Sequence, residues 1–102
     1  MGRARQSAVG TLKFEDKEIR ITEWRFAPGA ATGWHRHAYD YAVVPLLDGR
    51  LQLEHPNGST TFAELKRGVP YGRKEGVEHD VINANDFEYA FLEIEMKKSA
   101  GN

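Results

Sequence analysis

Cysteine is absent from this 102-residue chain. Disulfides, thiolate nucleophiles and cysteine-based zinc sites are therefore excluded, and a reducing, intracellular setting is expected. Long apolar runs are lacking as well. The longest, residues 41–47, contains Pro45 and is far too short to cross a bilayer. Arg3 and Arg5 are not followed by the apolar stretch of a secretory signal, and Gln6 stands where a myristoylation motif requires Ser or Thr. The expectation is a soluble, cytoplasmic protein with no membrane partner. Charge of one sign is also missing: 14 Lys and Arg face 15 Asp and Glu, a formal net charge of −1. No basic patch is dense enough to follow a phosphate backbone, so nucleic acid is not an expected partner. A serine nucleophile has no suitable place, because Ser7 and Ser99 lie near the ends and Ser59 beside a turn.

What the chain does contain is short β-favouring stretches separated by turn residues. Its length and 40% hydrophobic content suit one domain with a thin core. Small cores and open sheet edges both favour self-association, so a homodimer is expected. Residues 1–8 read as a loose tail, 9–97 as the folded domain and 98–102 as a second tail. Residues 9–14 read as an edge strand, and Glu15-Asp16-Lys17-Glu18 as a turn. Residues 19–26 form a strand whose apolar positions change parity, from Ile19 and Ile21 to Trp24 and Phe26; a bulge or a strand covered on both faces would explain it. After the turn-forming residues 27–33, strands are expected at 34–37, 41–47, 50–54, 60–65, 77–84 and 87–96. Asp48-Gly49 and Pro56-Asn57-Gly58 read as hairpin turns, and 66–76 as a loop. No window shows a helical period. Many short strands with frequent turns predict a sandwich or barrel.

The chemistry gathers on Gly33-Trp34-His35-Arg36-His37-Ala38-Tyr39-Asp40-Tyr41. Two histidines one residue apart on a strand face the same side, with Cα atoms about 6.6 Å apart, near enough to share a metal ion. His79 supplies a third imidazole from a later strand. These three are read as the floor of a small metal site inside a β-barrel. Arg36 falls between two of them and so faces away. His55 precedes a turn and reads as a loop residue. Asn83, four residues after His79, shares its strand face and is a candidate pocket residue. Trp24, Phe26, Trp34 and Phe91 read as core.

The spacing resembles that of the cupins, the jelly-roll (RmlC-like) double-stranded β-helix superfamily. The first cupin motif is matched by Gly29, five residues, His35-Arg36-His37, and then Gly49. The end of the second is matched by Gly76-Val77-Glu78-His79-Asp80-Val81-Ile82-Asn83. Together the two cover about half the chain. The stretch from Thr22 to His37 is further similar to the small cupins associated with β-alanine degradation. The resemblance implies an all-β jelly-roll barrel with His35, His37 and His79 as metal ligands. Two positions depart from the pattern: Tyr41 or Ala42 stands where the family carries a glutamate ligand, and Lys74 replaces a proline.

Losing the glutamate matters, because three neutral imidazoles leave the full charge of a divalent ion uncompensated and favour an anionic ligand. Cupin thiol and diketone dioxygenases, with three histidines on iron, resemble this arrangement. Asp40 lies one residue short of the glutamate position, where it either turns inward through a bulge or accepts backbone hydrogen bonds in a turn. Tyr41 either contacts a metal-bound ligand or fills the barrel. The donor set suits Fe, Zn, Ni, Mn or Cu without choosing among them. The expected function is a metal-dependent enzyme, dioxygenase-like or an isomerase or hydrolase, acting on a small anionic metabolite. The alternative is a non-catalytic cupin module that binds or senses a small ligand.

Overall fold

The computed structural model describes residues 5–97, and all the strands in it pair antiparallel. In chain order they are β1 (Val9–Glu15), β2 (Ile19–Phe26), β3 (His35–Arg36), β4 (Asp40–Pro45), β5 (Gly49–Glu54), β6 (Thr60–Leu65), β7 (Tyr71–Arg73), β8 (Glu78–Asn83) and β9 (Tyr89–Met96). They form a five-stranded sheet, β1-β2-β9-β4-β7, and a four-stranded sheet, β3-β8-β5-β6. Isoleucine, threonine, tryptophan and phenylalanine make β2 a good strand former, and it lies between β1 and β9. Of the two explanations open for the parity change in β2, the bulge is not found there: the register slips between Leu12 and Phe14 of its partner β1, while β2 pairs with β9 without interruption.

The register sorts the inner face of the larger sheet into rows. Phe26 pairs with Tyr89, and Phe91 lies between Trp24 and Pro45. Next comes Thr22–Glu93–Val43–Tyr71, and last Arg20–Glu95–Tyr41–Arg73. The face therefore runs from apolar to charged along its strands. The core occupies the apolar end, where Phe26, Leu51, Val43, Val81, Tyr89 and Phe91 are buried together. From the smaller sheet, His79 pairs with His35, Val81 with Leu53, and Asn83 with Leu51.

Several sequence expectations change. Asp48-Gly49 does not close a hairpin, because β4 and β5 belong to different sheets and the chain passes from one to the other there. Gly49 serves close packing: a Cβ on it would stand 2.5 Å from the Tyr89 ring. Tyr89 in turn donates a hydrogen bond to the Leu47 carbonyl at 2.8 Å. Residues 66–76 are not all loop, since β7 pairs with β4 along the sheet edge. Trp34 is not core; it is 50% exposed and its indole donates to Glu78. It is one residue out of step with His35, and strand alternation sends it outward. The tail expected over residues 1–8 is also shorter, because the Ala8 amide donates to the Ala31 carbonyl and the Ala31 amide to that of Gln6. Residues 1–4 and the tail expected at 98–102 lie outside the described residues.

Candidate metal centre

β3 and β8 bring the three histidines together by register. His35 sits directly opposite His79, and the alternation that carries His35 inward also carries His37. His35 Nε2 lies 3.0 Å from His37 Nε2, which lies 3.2 Å from His79 Nε2. Two nitrogens bound to one ion at ~2.0–2.1 Å stand about 2.9–3.4 Å apart for bond angles between right-angled and tetrahedral. The donor set therefore fits one transition-metal ion, and its ligand atoms all lie within 4.8 Å of one another.

The loop before β3 orients the first ring. His35 Nδ1 donates to the Gly33 carbonyl at 2.9 Å, which leaves the Nε2 lone pair free to face the cluster. Gly33 presents that carbonyl from a left-handed backbone, φ 86°, where a side chain would be strained. Thr32 braces the loop: its hydroxyl donates to the Gly33 carbonyl and accepts from the Val81 amide. His37 is held by stacking on Tyr41, with ring centroids 3.8 Å apart.

Electrostatics keep the cluster ready for a cation. Burial, reinforced by the charge of His35, holds the His37 proton affinity down to about 4. His79 is lowered to about 3 by burial, then by its two neighbours. Both rings are thus neutral near pH 7, the state in which imidazole binds metal. Glu93, a residue the sequence reading did not single out, faces the same space from β9. Burial pushes its carboxyl up to about 7, against the lowering effect of a hydrogen bond from the Trp24 indole. Its Oε2 lies 3.8 Å from His37 Nδ1. That is beyond hydrogen-bond length, and with a neutral imidazole the contact is polar rather than an ion pair.

A cavity of about 440 Å³ lies over the histidines. Its walls include Tyr41, Tyr71, Arg73, Trp24 and Phe91, with Glu93 and Glu95 among them. Tyr41 is therefore part of the site wall rather than filler alone. Burial, with a contribution from Glu93, pushes its phenol upward, so it stays protonated and can donate. Asp40 does not turn inward; its carboxylate accepts the Glu75 amide at 2.8 Å, as a turn aspartate does. Asn83 shares the His79 face but does not line the cavity. Four residues carry it about 13 Å down the strand, where its amide donates to the carbonyls of Phe26, Ala27 and Phe87. His55 contacts Thr61, apart from the cluster. Arg36 alternates outward between its neighbours, and its guanidinium passes near Gly76.

Glu93, Glu95, Tyr71 and Arg73 are among the wall residues that the sequence did not single out. A signal for Glu93 was present: it shares the parity of Phe91 in a strand whose other face is equally apolar.

No family model matches the chain. It is 55% identical over 93 residues to the β-alanine degradation protein BauB of Pseudomonas aeruginosa, covering 91% of this chain and 97% of that protein. A cupin domain from Bordetella pertussis Tohama I superposes with a TM-score of 0.91 at 50% identity, over 95% of this chain and all (100%) of that one. An RmlC-like cupin from Desulfovibrio desulfuricans shares the fold at a TM-score of 0.64 and 19% identity, covering 87% of this chain and 82% of its own. With two facing sheets, histidines converging from both motif segments and relatives matched nearly end to end, the chain belongs to the cupins, as a double-stranded β-helix related to BauB.

Proposed function

We propose that this protein is a metal-dependent cupin enzyme in which His35, His37 and His79 hold one divalent transition ion and the cavity above them takes a small anionic metabolite. The convergence of three imidazole Nε2 atoms beneath a walled cavity carries this reading. Iron in that position would supply a centre for dioxygen chemistry, and zinc a Lewis acid for hydrolysis or isomerisation. The chain's own residues do the rest. The Gly33 carbonyl sets the His35 tautomer, Tyr41 holds the His37 ring, and Trp24, Phe91, Val43 and Val81 keep the lower part of the cavity apolar. Three neutral ligands leave a divalent ion's charge uncompensated, which favours an anionic guest. The relationship to a β-alanine degradation protein supports a small metabolite as substrate.

Metal analysis of tag-free protein, alongside a His79→Ala variant, tests the site. About one ion per chain in the wild type and none in the variant is the expected result, since two imidazoles bind far more weakly than three. Equal metal in both would overturn the assignment.

A further inference from the structure

Resting on that reading of the histidine centre, a second feature of the same cavity specifies its guest more closely. Three arginines border the cavity: Arg20, Arg36 and Arg73. Arg20 is already paired, its Nε donating to Glu95 at 2.8 Å with Glu15 beyond. Arg36 alternates to the outer side of β3. Arg73 is different. The register places it in the inward row beside Tyr41, yet no carboxylate pairs with it among the described residues. Its guanidinium rests over the Tyr71 ring at 5.3 Å, a stacking contact that leaves the N–H fork unused.

The placement relative to the histidines is specific. Arg73 and Tyr41 are cross-strand neighbours, with Cβ atoms about 4.5–5.5 Å apart. Tyr41 in turn stacks on His37. Arg73 thus leaves the sheet beside the ring that stacks on a ligand histidine, and it lines the same cavity as the three histidines, at its exposed end. A cation held there without a partner is suited to a planar bidentate anion. Glu93 and Glu95 face the same space and disfavour a doubly charged guest such as a phosphate monoester.

We propose that Arg73 anchors the carboxylate of the guest, which is a short monocarboxylic acid carrying a second oxygen, nitrogen or sulfur donor directed at the three histidines. The guanidinium and the histidine centre then grip opposite ends of one small molecule, with Tyr41, the neighbour of both, in the wall beside it.

The test uses zinc-loaded wild type and Arg73→Gln, titrated with β-alanine and 3-hydroxypropionate, with the amide of each, and with inorganic phosphate. Binding is followed by NMR of the histidine Cε1–H signals. The expected result is that at least one acid binds wild type about tenfold or more tighter than its amide, the scale of a charge-assisted hydrogen-bond pair. Arg73→Gln should abolish that preference with zinc content unchanged, and Arg73→Lys should restore part of it. An acid-to-amide ratio that is the same in wild type and Arg73→Gln overturns the proposal, as does the absence of any acid preference in wild type. Arg73-dependent binding of phosphate ahead of both acids overturns the carboxylate class. The same titrations on metal-free protein separate the two readings. A wild type that holds no zinc defeats the metal centre, while an acid preference that still depends on Arg73 leaves the anchor standing.

Discussion

Asn83 illustrates how little a residue's parity says about its task. It shares a strand face with His79, but its side chain is 2% exposed and occupied entirely by the fold. Besides its three carbonyl partners, its Oδ1 accepts the Asn85 backbone amide at 2.9 Å and the Asn85 side-chain amide at 2.7 Å. Replacing it with alanine leaves several buried groups without partners, each costing ~1–3 kcal/mol in part. Asn83→Ala should therefore lose about 3 kcal/mol, read as a lower urea midpoint, while still binding metal when folded. His79, two inward positions earlier, should behave in the opposite way: its alanine variant loses the metal and leaves metal-free stability nearly intact. Measuring both quantities on both variants separates a structural polar residue from a ligand. The histidine pair and His79 were legible because their spacing is a chemical signature. Asn83 was misread because alternation gives the face and not the depth along the strand.

At the level of elements, the corner between β4 and β5 carries the clearest constraint. Gly49 opens β5 with ordinary backbone angles, so it is not there for a left-handed turn. It is there because the fully buried Tyr89 ring fills the space a side chain would need. Gly49→Ala must displace that ring and its hydrogen bond to Leu47, an overpacking cost of about 1–3 kcal/mol. Thermal unfolding of the metal-free variant should show a correspondingly lower midpoint, and Gly58→Ala, in open space at a hairpin tip, serves as the control for backbone strain alone. The Asp-Gly pair was read as a hairpin because the same dipeptide serves both purposes in sequence. β7 reads as loop in the sequence for a related reason: Gly72 sits at its centre, with Gly68 and Pro70 before it and Gly76 after. Its pairing with β4 overrides those local signals and brings Tyr71 and Arg73 into the inward rows beside Val43 and Tyr41.

For the whole molecule, acid should be the destabilising direction in the metal-free state. Ordinary histidine titrates at 6.5, whereas buried His37 and His79 stay neutral to about 4 and about 3. Below 6.5 the unfolded chain binds protons that the fold refuses, so stability falls as pH drops, by about 1.4 kcal/mol per unit for each group. Glu93 acts in the opposite sense. Its folded value of about 7 against an ordinary 4.5 means the fold holds an extra proton across that window, and stability falls as pH rises through it. Two histidines outweigh one glutamate, so between 4.5 and 6.5 stability rises with pH at the net slope of about one proton. Glu93→Gln removes the opposing contribution, and urea midpoints for it should fall about twice as steeply toward acid as those of wild type. Assembly belongs to this scale too. β1 is a sheet edge exposed along its length, with Val9, Leu12 and Phe14 open to solvent. A homodimer that covers this edge is the expected assembly, and light scattering should find two chains in wild type and one in Leu12→Asp.

The sequence by itself determined the fold class and the three histidines, because alternation, turn residues and ligand spacing are local properties that survive in one dimension. Tertiary structure alone decided that Glu93 and Arg73 share a cavity with those histidines. β9 reaches that cavity through pairing with β2 and β4, and β7 through pairing with β4, across long stretches of intervening chain. Their charges became site residues by virtue of which strands lie side by side, and strand order is set by the packing of two sheets rather than by any neighbouring letter.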